Sequence, residues 1–212
     1  MTPVLSIETS GELCSVAIML NETNFSEFNY LQKNIHSEKI IGMIDALLNT
    51  SGLSIKDIKT IAVSNGPGSF TGLRIGMTVA KSIAFGLNIP VIPVPTFYAA
   101  AYQLSEYLEE GQKFIIANKL NASEIYVAKF QTTGENFKIL DEVRVINKSD
   151  FPEYSKQNFL IFGSYGNKNW VDLPNANFMA KWAYFFGKDL LTYNFDYIEP
   201  NYSKNFIPRI KK

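Results

Sequence analysis

The sequence predicts an α/β protein of two lobes, each a sheet flanked by helices. Three observations carry that expectation. Strand-like and helix-like segments alternate along the chain, and the alternation starts afresh after the polar break Glu109-Glu110-Gly111. The first half opens on three strand-length runs before any helix, and the second half opens on strands again. With 212 residues and 46% hydrophobic content, there is enough apolar material for a core in both halves. The break sets the expected lobes at 1–110 and 111–212.

In the first lobe, Val4 to Ile7 reads as a strand, Glu8 to Gly11 as a tight polar turn and Cys14 to Leu20 as a second strand, with Phe25 to Leu31 adding a third. Ser37 is a plausible N-cap for a helix running to about Thr50, with Ile40, Ile41, Ile44, Leu47 and Leu48 on its apolar side. Gly52 stops it, and Ser54 to Asp57 forms a capping-box-like turn. His36 is the only histidine, and the position four residues on is Ile40. A two-histidine metal site on this helix is therefore excluded, and a local hydrogen-bonding or capping role is expected.

The centre of the lobe is Ile61 to Gly86, IAVSNGPGSFTGLRIGMTVAKSIAFG. Ile61 to Val63 is a strand, Gly66 to Gly72 is a loop shaped by glycine and by Pro67, and Leu73 to Phe85 is a helix that Ser69 or Thr71 could cap. Gly72, Gly76, Ala80 and Ala84 fall four apart, a smooth stripe on one face. Glycine in or beside a helix costs stability, so something should pack very close there. Only Arg74 and Lys81 are charged in that helix, which suits burial in the core or under a partner. Three readings of the loop compete: a backbone cradle for phosphate, a nucleophile elbow, and a tight structural turn. The P-loop lysine spacing is absent, Ser69 lacks flanking glycines at two residues' distance, and spacing alone favours the structural turn.

The lobe ends with a strand at Ile89 to Val94 and a helix from Phe97 to about Glu109, capped by Thr96. In the second lobe, Lys113 to Ala117, Glu124 to Phe130, Phe137 to Ile146 and Phe159 to Gly163 read as strands, and Met179 to Leu191 as a helix whose Trp182, Phe185 and Phe186 should be core. The tail runs through Glu199-Pro200-Asn201-Tyr202 to Arg209, Lys211 and Lys212, read as a mobile, solvated positive end.

Composition narrows the function. Lys plus Arg equals Asp plus Glu at 20 each, so no net positive field favours direct capture of RNA. The lone Cys14 excludes an internal disulfide and a thiolate zinc cage, fits a reducing compartment, and is expected to be a small buried apolar residue. No basic segment opens the chain, Glu8 interrupts its short apolar run, and no run reaches membrane-spanning length; a cytoplasmic, non-membrane protein is expected.

Two resemblances attach to these residues. Glu8-Thr9-Ser10-Gly11 after the first strand is similar to the first phosphate loop of the actin, sugar-kinase and Hsp70 superfamily, with Glu8 where that superfamily normally has Asp. GPGSFTGLRIG resembles the central motif of the bacterial TsaB (YeaZ) family of tRNA threonylcarbamoyladenosine biosynthesis proteins. It is supported by Ile7-Glu8-Thr9, Cys14-Ser15-Val16-Ala17, His36-Ser37-Glu38, Glu124-Ile125-Tyr126 and Glu199-Pro200-Asn201-Tyr202. Before Glu124 the family commonly has Asp-Ala-Arg-Arg, whereas Lys119-Leu120-Asn121-Ala122 stands here.

The resemblance implies a reduced, two-lobed actin-like fold and a non-catalytic scaffold role. The partners implied are a TsaD-like catalytic subunit and a TsaE-like ATPase, which together transfer threonylcarbamoyl from threonylcarbamoyl-AMP to N6 of the adenosine 3′ to the anticodon in tRNAs reading codons that begin with A. It further implies ATP used by the complex with no cofactor held tightly by this chain, tRNA met only through the complex, and a homodimer when alone. The interface expected from it is Gly72, Arg74, Ile75, Gly76, Val79 and Ile83 with Ile40, Ile44 and Leu47; Gly76→Leu should then abolish docking while leaving the monomer folded. A nucleotide-dependent phosphotransferase is the alternative, with Glu8, Thr9, Ser10, Gly66, Gly68 and Ser69 facing phosphate. A peptidase, an older label for such proteins, finds neither a zinc triad nor a Ser–His pair in the sequence.

Overall fold

The computed structural model describes residues 1–32, 35–134, 136–156, 158–165 and 174–201. Its first sheet is built from β1 (Val4–Glu8), β2 (Leu13–Met19), β3 (Phe25–Leu31), β4 (Thr60–Gly66) and β5 (Val91–Pro95), in the order β3-β2-β1-β4-β5. β1, β4 and β5 run parallel; β2 and β3 return antiparallel through short turns. The parallel strands are buried on both faces, which is why β1 and β4 read as nearly continuous apolar runs. The second sheet has β6 (Lys113–Lys119), β7 (Glu124–Thr132), β8 (Phe137–Asn147) and the short β9 (Leu160–Phe162), in the order β8-β7-β6-β9.

Helices complete the layers: α1 (His36–Ser51), α2 (Phe70–Leu87), α3 (Thr96–Ser105), α4 (Phe151–Tyr154) and α5 (Ala176–Phe186). One face of the first sheet presents Leu5, Ile7, Val16, Ile18, Ile61 and Val63 to Ile40, Ile44 and Leu47 of α1 and to Met77, Ala80 and Ala84 of α2. The other face sets Val4, Met19, Ala62, Ile92 and Val94 against α3 and α5. α3 lies between the sheets: Ala99 and Tyr102 join the first, while Phe97, Ala100, Ala101 and Leu104 join Phe114, Ile116, Phe130 and the rest of the second core. Tyr98 ties the layers, with its ring against Phe130, Phe137 and Trp182 and its hydroxyl donating to Glu142 at 2.7 Å. The result is a two-sheet α/β architecture, the fold class that the sequence predicts.

The expected break at residue 110 falls between α3 and β6, and α5, from the second half of the chain, packs on β1 and β2 of the first sheet. Its N-terminal end is seated on polar groups of that sheet. Ser6 Oγ donates to Ala176 O at 2.6 Å, Ser15 Oγ accepts from Ala176 N at 2.8 Å, and Glu27 Oε1 accepts from Asn177 N at 2.7 Å. Those contacts start the helix three residues before the expected Met179, and after Gly187 the chain leaves the helix to pair Thr192 with Val91. α1 also differs in its start, with Ile35 rather than Ser37 at the N-cap and no side-chain cap bond, while Gly52 ends it in the left-handed conformation as expected. α3 ends at Ser105, short of the expected Glu109. Among the described residues no helix is long and apolar enough to cross a membrane. Tyr202, Arg209, Lys211 and Lys212 lie outside the described residues.

Candidate functional site

The two turns that the sequence singles out, Glu8 to Gly11 after β1 and Pro67 to Ser69 between β4 and α2, meet at the carboxyl ends of the parallel strands. Open α/β sheets take ligands at such a position. Here the turns close on one another. Ser69 N donates to Ser10 O at 2.7 Å, Thr9 Oγ1 donates to Gly72 O at 2.7 Å, and Thr9 N reaches Ser64 Oγ at 3.5 Å. Glu8 is 2% exposed, and its Oε1 accepts from Ser10 N. Ser69 caps α2, its Oγ accepting from Gly72 N at 3.2 Å, whereas Thr71 lies inside the helix. Thr96, expected as a cap for α3, instead accepts Gly66 N on its Oγ1 at 3.1 Å, so Pro95 takes the cap position.

The glycines show why this stretch needs them. A Cβ on Gly68 would lie 2.6 Å from both Cβ and O of Ser10. One on Gly72 would overlap Thr9 O, one on Gly76 would overlap Thr9 Oγ1, and one on Gly66 would overlap Asn201 O. Asn201 reaches this point because residues 191–201 cross back over the first sheet. Thr192 and Val91 exchange two backbone bonds of 2.9 Å, Ile198 is buried in the core, and Asn201 N donates to Asn65 O at 2.7 Å.

Glu8, Thr9, Ser10, Gly66, Gly68 and Ser69 are brought together, as the phosphotransferase alternative requires; Ser10 bonds Glu8 and Ser69, while Thr9 bonds Gly72 and Gly66 bonds Thr96. The turn joining β6 and β7 is similarly closed: Asn121 Oδ1 accepts from Ser123 N at 2.9 Å and Glu124 N at 2.8 Å, while Lys148 Nζ donates to Asn121 O and Ala122 O at 2.9 and 2.8 Å. Lys119 to Ala122, where the sequence departs from the family pattern, is therefore held by a side-chain-capped turn.

The expected interface set divides. Ile40, Ile44 and Leu47 are buried beneath α1 against the sheet, and Gly72 and Gly76 face Thr9, so these five present no surface to a partner. That corrects the reading of the small-residue stripe: the close approach it permits is to β1 and its turn. Gly76→Leu would disrupt the fold before it reported on docking. Arg74 is exposed, and Ile75, Val79 and Ile83 are half-buried along the outer side of α2. Arg74 lies over the Phe70 ring, 4.0 Å from its centroid.

Beside them the structure exposes two residues that helical spacing assigned elsewhere. Ile41, read as part of α1's apolar side, is 58% exposed, and Phe85 is 78% exposed with its edge against Phe195. Phe85 lies off the Gly72–Ala84 stripe, a signal that the sequence carries, whereas Ile41 falls beside Leu48 on the helix face and its spacing does not mark it as exposed.

His36 is buried, and its Nε2 lies 3.3 Å from Leu13 O, the local hydrogen-bonding role expected of it. Cys14 is fully buried, and burial, with the nearby Glu8 carboxylate, pushes its thiol up to about 11. Among the described residues no three His, Cys, Asp or Glu side chains gather in a way that could hold a metal ion.

Residues 30–188 match the model of the TsaD family, tRNA N6-adenosine threonylcarbamoyltransferase. The tRNA threonylcarbamoyladenosine biosynthesis protein TsaB of Buchnera aphidicola subsp. Acyrthosiphon pisum is 32% identical over 188 residues, covering 82% of this chain and 84% of that one. TsaB of Haemophilus influenzae is 33% identical over 151 residues, 71% of this chain, and the match spans 58% of that relative's length. A crystal structure of an uncharacterized Pseudomonas aeruginosa protein with similarity to peptidase YEAZ superposes with a TM-score of 0.79 at 21% identity, over 96% of this chain and 100% of that one, and shows the same fold. These matches agree with the motif GPGSFTGLRIG and with the two-sheet architecture built around it, and on them the chain belongs to the TsaB (YeaZ) family.

Proposed function

We propose that this chain is a non-catalytic accessory subunit of the machinery that makes threonylcarbamoyladenosine in tRNA. In this reading a TsaD-like partner carries the active site and transfers threonylcarbamoyl from threonylcarbamoyl-AMP to N6 of the adenosine 3′ to the anticodon. A TsaE-like ATPase supplies the ATP-dependent step, tRNA is met only through the complex, and the work is done in the cytoplasm. The chain itself holds no tightly bound cofactor. The observation that supports the proposal is the internal bonding of the turn after β1 to the loop before α2, from Ser69 N to Ser10 O and from Thr9 Oγ1 to Gly72 O. A single histidine also leaves no helical histidine pair for a catalytic metal.

The docking surface in this proposal is the outer side of α1 and α2: Ile41 on α1 and Arg74, Ile75, Val79, Ile83 and Phe85 on α2. Apolar side chains with one arginine suit the buried centre of a protein interface.

Calorimetry with ATP and magnesium on the purified chain, beside titration with the TsaD-like subunit, tests the reading. Binding to the subunit without binding to nucleotide is expected. Tight nucleotide binding by the isolated chain would replace the proposal with the phosphotransferase alternative.

A further inference from the structure

Of the 13 glycines in this chain, only Gly66 follows an asparagine. Asn-Gly is the pair most open to spontaneous deamidation, because the glycine nitrogen can reach the asparagine side-chain carbonyl with no Cβ in the way. The fold does not allow that glycine to be replaced. Gly66 has φ of 98°, and a Cβ there would overlap Asn201 O and lie 3.1 Å from Leu73 Cδ1.

The folded chain withholds what the reaction needs. The nucleophile, Gly66 N, donates to Thr96 Oγ1 at 3.1 Å, where Thr96 is 1% exposed. The carbonyl of the same peptide unit, Asn65 O, accepts from Asn201 N at 2.7 Å. Bonded at both ends, the unit cannot turn its nitrogen onto Asn65 Cγ. The electrophile is unassisted as well. Asn65 Oδ1 is buried with no hydrogen-bond partner among the described residues, so negative charge forming on it meets no donor. Asn65 falls at the irregularity in the β4–β5 pairing, between Ser64↔Val94 and Gly66↔Pro95, and has no ladder partner on β5. Thr96 and Asn201, rather than the neighbouring strand, hold its peptide unit.

We propose that Asn65 is a latent site of spontaneous modification, and that Thr96 is the residue that keeps it silent. When the Thr96 bond opens, Gly66 N loses its proton to solvent hydroxide and attacks Asn65 Cγ. The new N–C bond closes a succinimide ring, the Cγ–Nδ2 bond breaks, and the departing nitrogen takes a proton from water and leaves as ammonia. A second water then opens the ring. Addition at Cγ yields aspartate; addition at the main-chain carbonyl carbon yields isoaspartate, whose main chain is longer by a methylene. That methylene falls between β4 and the loop leading to α2, where the Gly66–Thr96 and Asn65–Asn201 bonds depend on register, so a converted chain cannot close the motif again. The modification is an irreversible mark that this stretch has opened. The inference does not depend on the proposed role in tRNA modification.

The test follows conversion at Asn65 by mass spectrometry of the tryptic peptide 60–74, on the purified full chain incubated in mildly alkaline buffer with and without urea. Conversion in the folded chain is expected to be at least about a hundredfold slower than in the unfolded one, because it proceeds only from the rare open form. Thr96→Val keeps the side-chain shape but leaves the buried Gly66 N–H without its acceptor, and should raise the folded-state rate by about tenfold or more. Thr96→Ser restores the hydroxyl and should return the rate to within about threefold of the parent. Ile44→Ala, which empties a buried site beneath α1, loosens the fold generally and should also stay within about threefold, since the opening is local.

Hydrogen exchange at the Gly66 amide of the unmodified chain gives a reading free of variants. Both reactions need that N–H released from Thr96, so folding should slow deamidation at least as much as it slows exchange there. The inference is overturned if the folded parent converts as fast as the unfolded chain, or if Thr96→Val converts no faster than Thr96→Ser. It is equally overturned if Ile44→Ala speeds conversion as much as Thr96→Val, which would make global unfolding the route, or if deamidation is less protected than Gly66 exchange.

Discussion

Gly72→Ala is the smallest change that separates the structural reading of the central motif from a permissive one. The new methyl would overlap the Thr9 carbonyl oxygen, with Thr9 C at 3.1 Å and Ser69 Cβ at 3.3 Å closing the other sides. Thr9 cannot retreat alone, because its hydroxyl is bonded to Gly72 O and the next residue is bonded to Ser69. Overpacking of this kind costs about 1–3 kcal/mol. Loosening the Thr9–Gly72 and Ser10–Ser69 bonds adds about 0.5–1.5 kcal/mol each. The gain in helix propensity from glycine to alanine returns at most about 1 kcal/mol. The net expectation is a loss of about 1–5 kcal/mol, centred near 3, and at about 2–4 °C per kcal/mol for a chain of this size a fall in Tm of roughly 9 °C at the centre of that range.

Gly42→Ala in α1 is the matched control, because nothing lies within 4 Å of a Cβ there. It should stabilise by about 0.5–1 kcal/mol through propensity alone. Urea unfolding followed by circular dichroism reads both variants, with the midpoint moving in opposite directions at similar slope. If Gly72→Ala is neutral or stabilising like Gly42→Ala, the close packing of α2 on the β1 turn is wrong, and the motif regains the freedom that a ligand loop would need.

Other consequences can be checked on the same protein. Phe85→Asp should reduce affinity for the TsaD-like subunit by about tenfold or more while leaving the unfolding midpoint close to the parent's, since Phe85 is 78% exposed on α2; calorimetry beside urea unfolding reads the two effects. Glu27→Ala removes the carboxylate that accepts the Asn177 N–H at the start of α5, and should cost about 1–2 kcal/mol in urea. The Cys14 thiol, raised by burial and by Glu8 from 9.0 to about 11, favours the folded state while it stays protonated. Its contribution of about 2–3 kcal/mol is full below pH 9 and is lost as pH rises toward 11. Cys14→Ser should flatten that alkaline decline in stability, measured as the urea midpoint against pH.

Much of the fold was legible because its signals are local. β1 and β4 announce themselves as buried apolar runs, Gly52 stops α1 with its left-handed backbone, and Ser69 caps α2 as its position suggests. Where expectation and structure part, the cause is a contact made across the chain. Thr96 looks like a cap but is drawn to the Gly66 amide, thirty residues away. α5 begins early because Ser15 and Glu27, far back in the chain, receive its first amides.

The candidate site shows the same limit. The glycine stripe truly marks a close approach, yet nothing in its spacing says whether the approaching backbone belongs to a partner or to Thr9. Helical periodicity likewise places Ile40 and Ile41 together on α1, and only the depth of the sheet beneath separates the buried one from the exposed one.

The measurement closest to the central claim is a reconstitution with unmodified tRNA, threonine, bicarbonate and ATP and the other pathway proteins, with and without this chain, scored by mass spectrometry of the nucleosides. Threonylcarbamoyladenosine should appear only when the chain is present, and should be lost with the Phe85→Asp variant that no longer docks. An unchanged yield without the chain would contradict an accessory role in this modification.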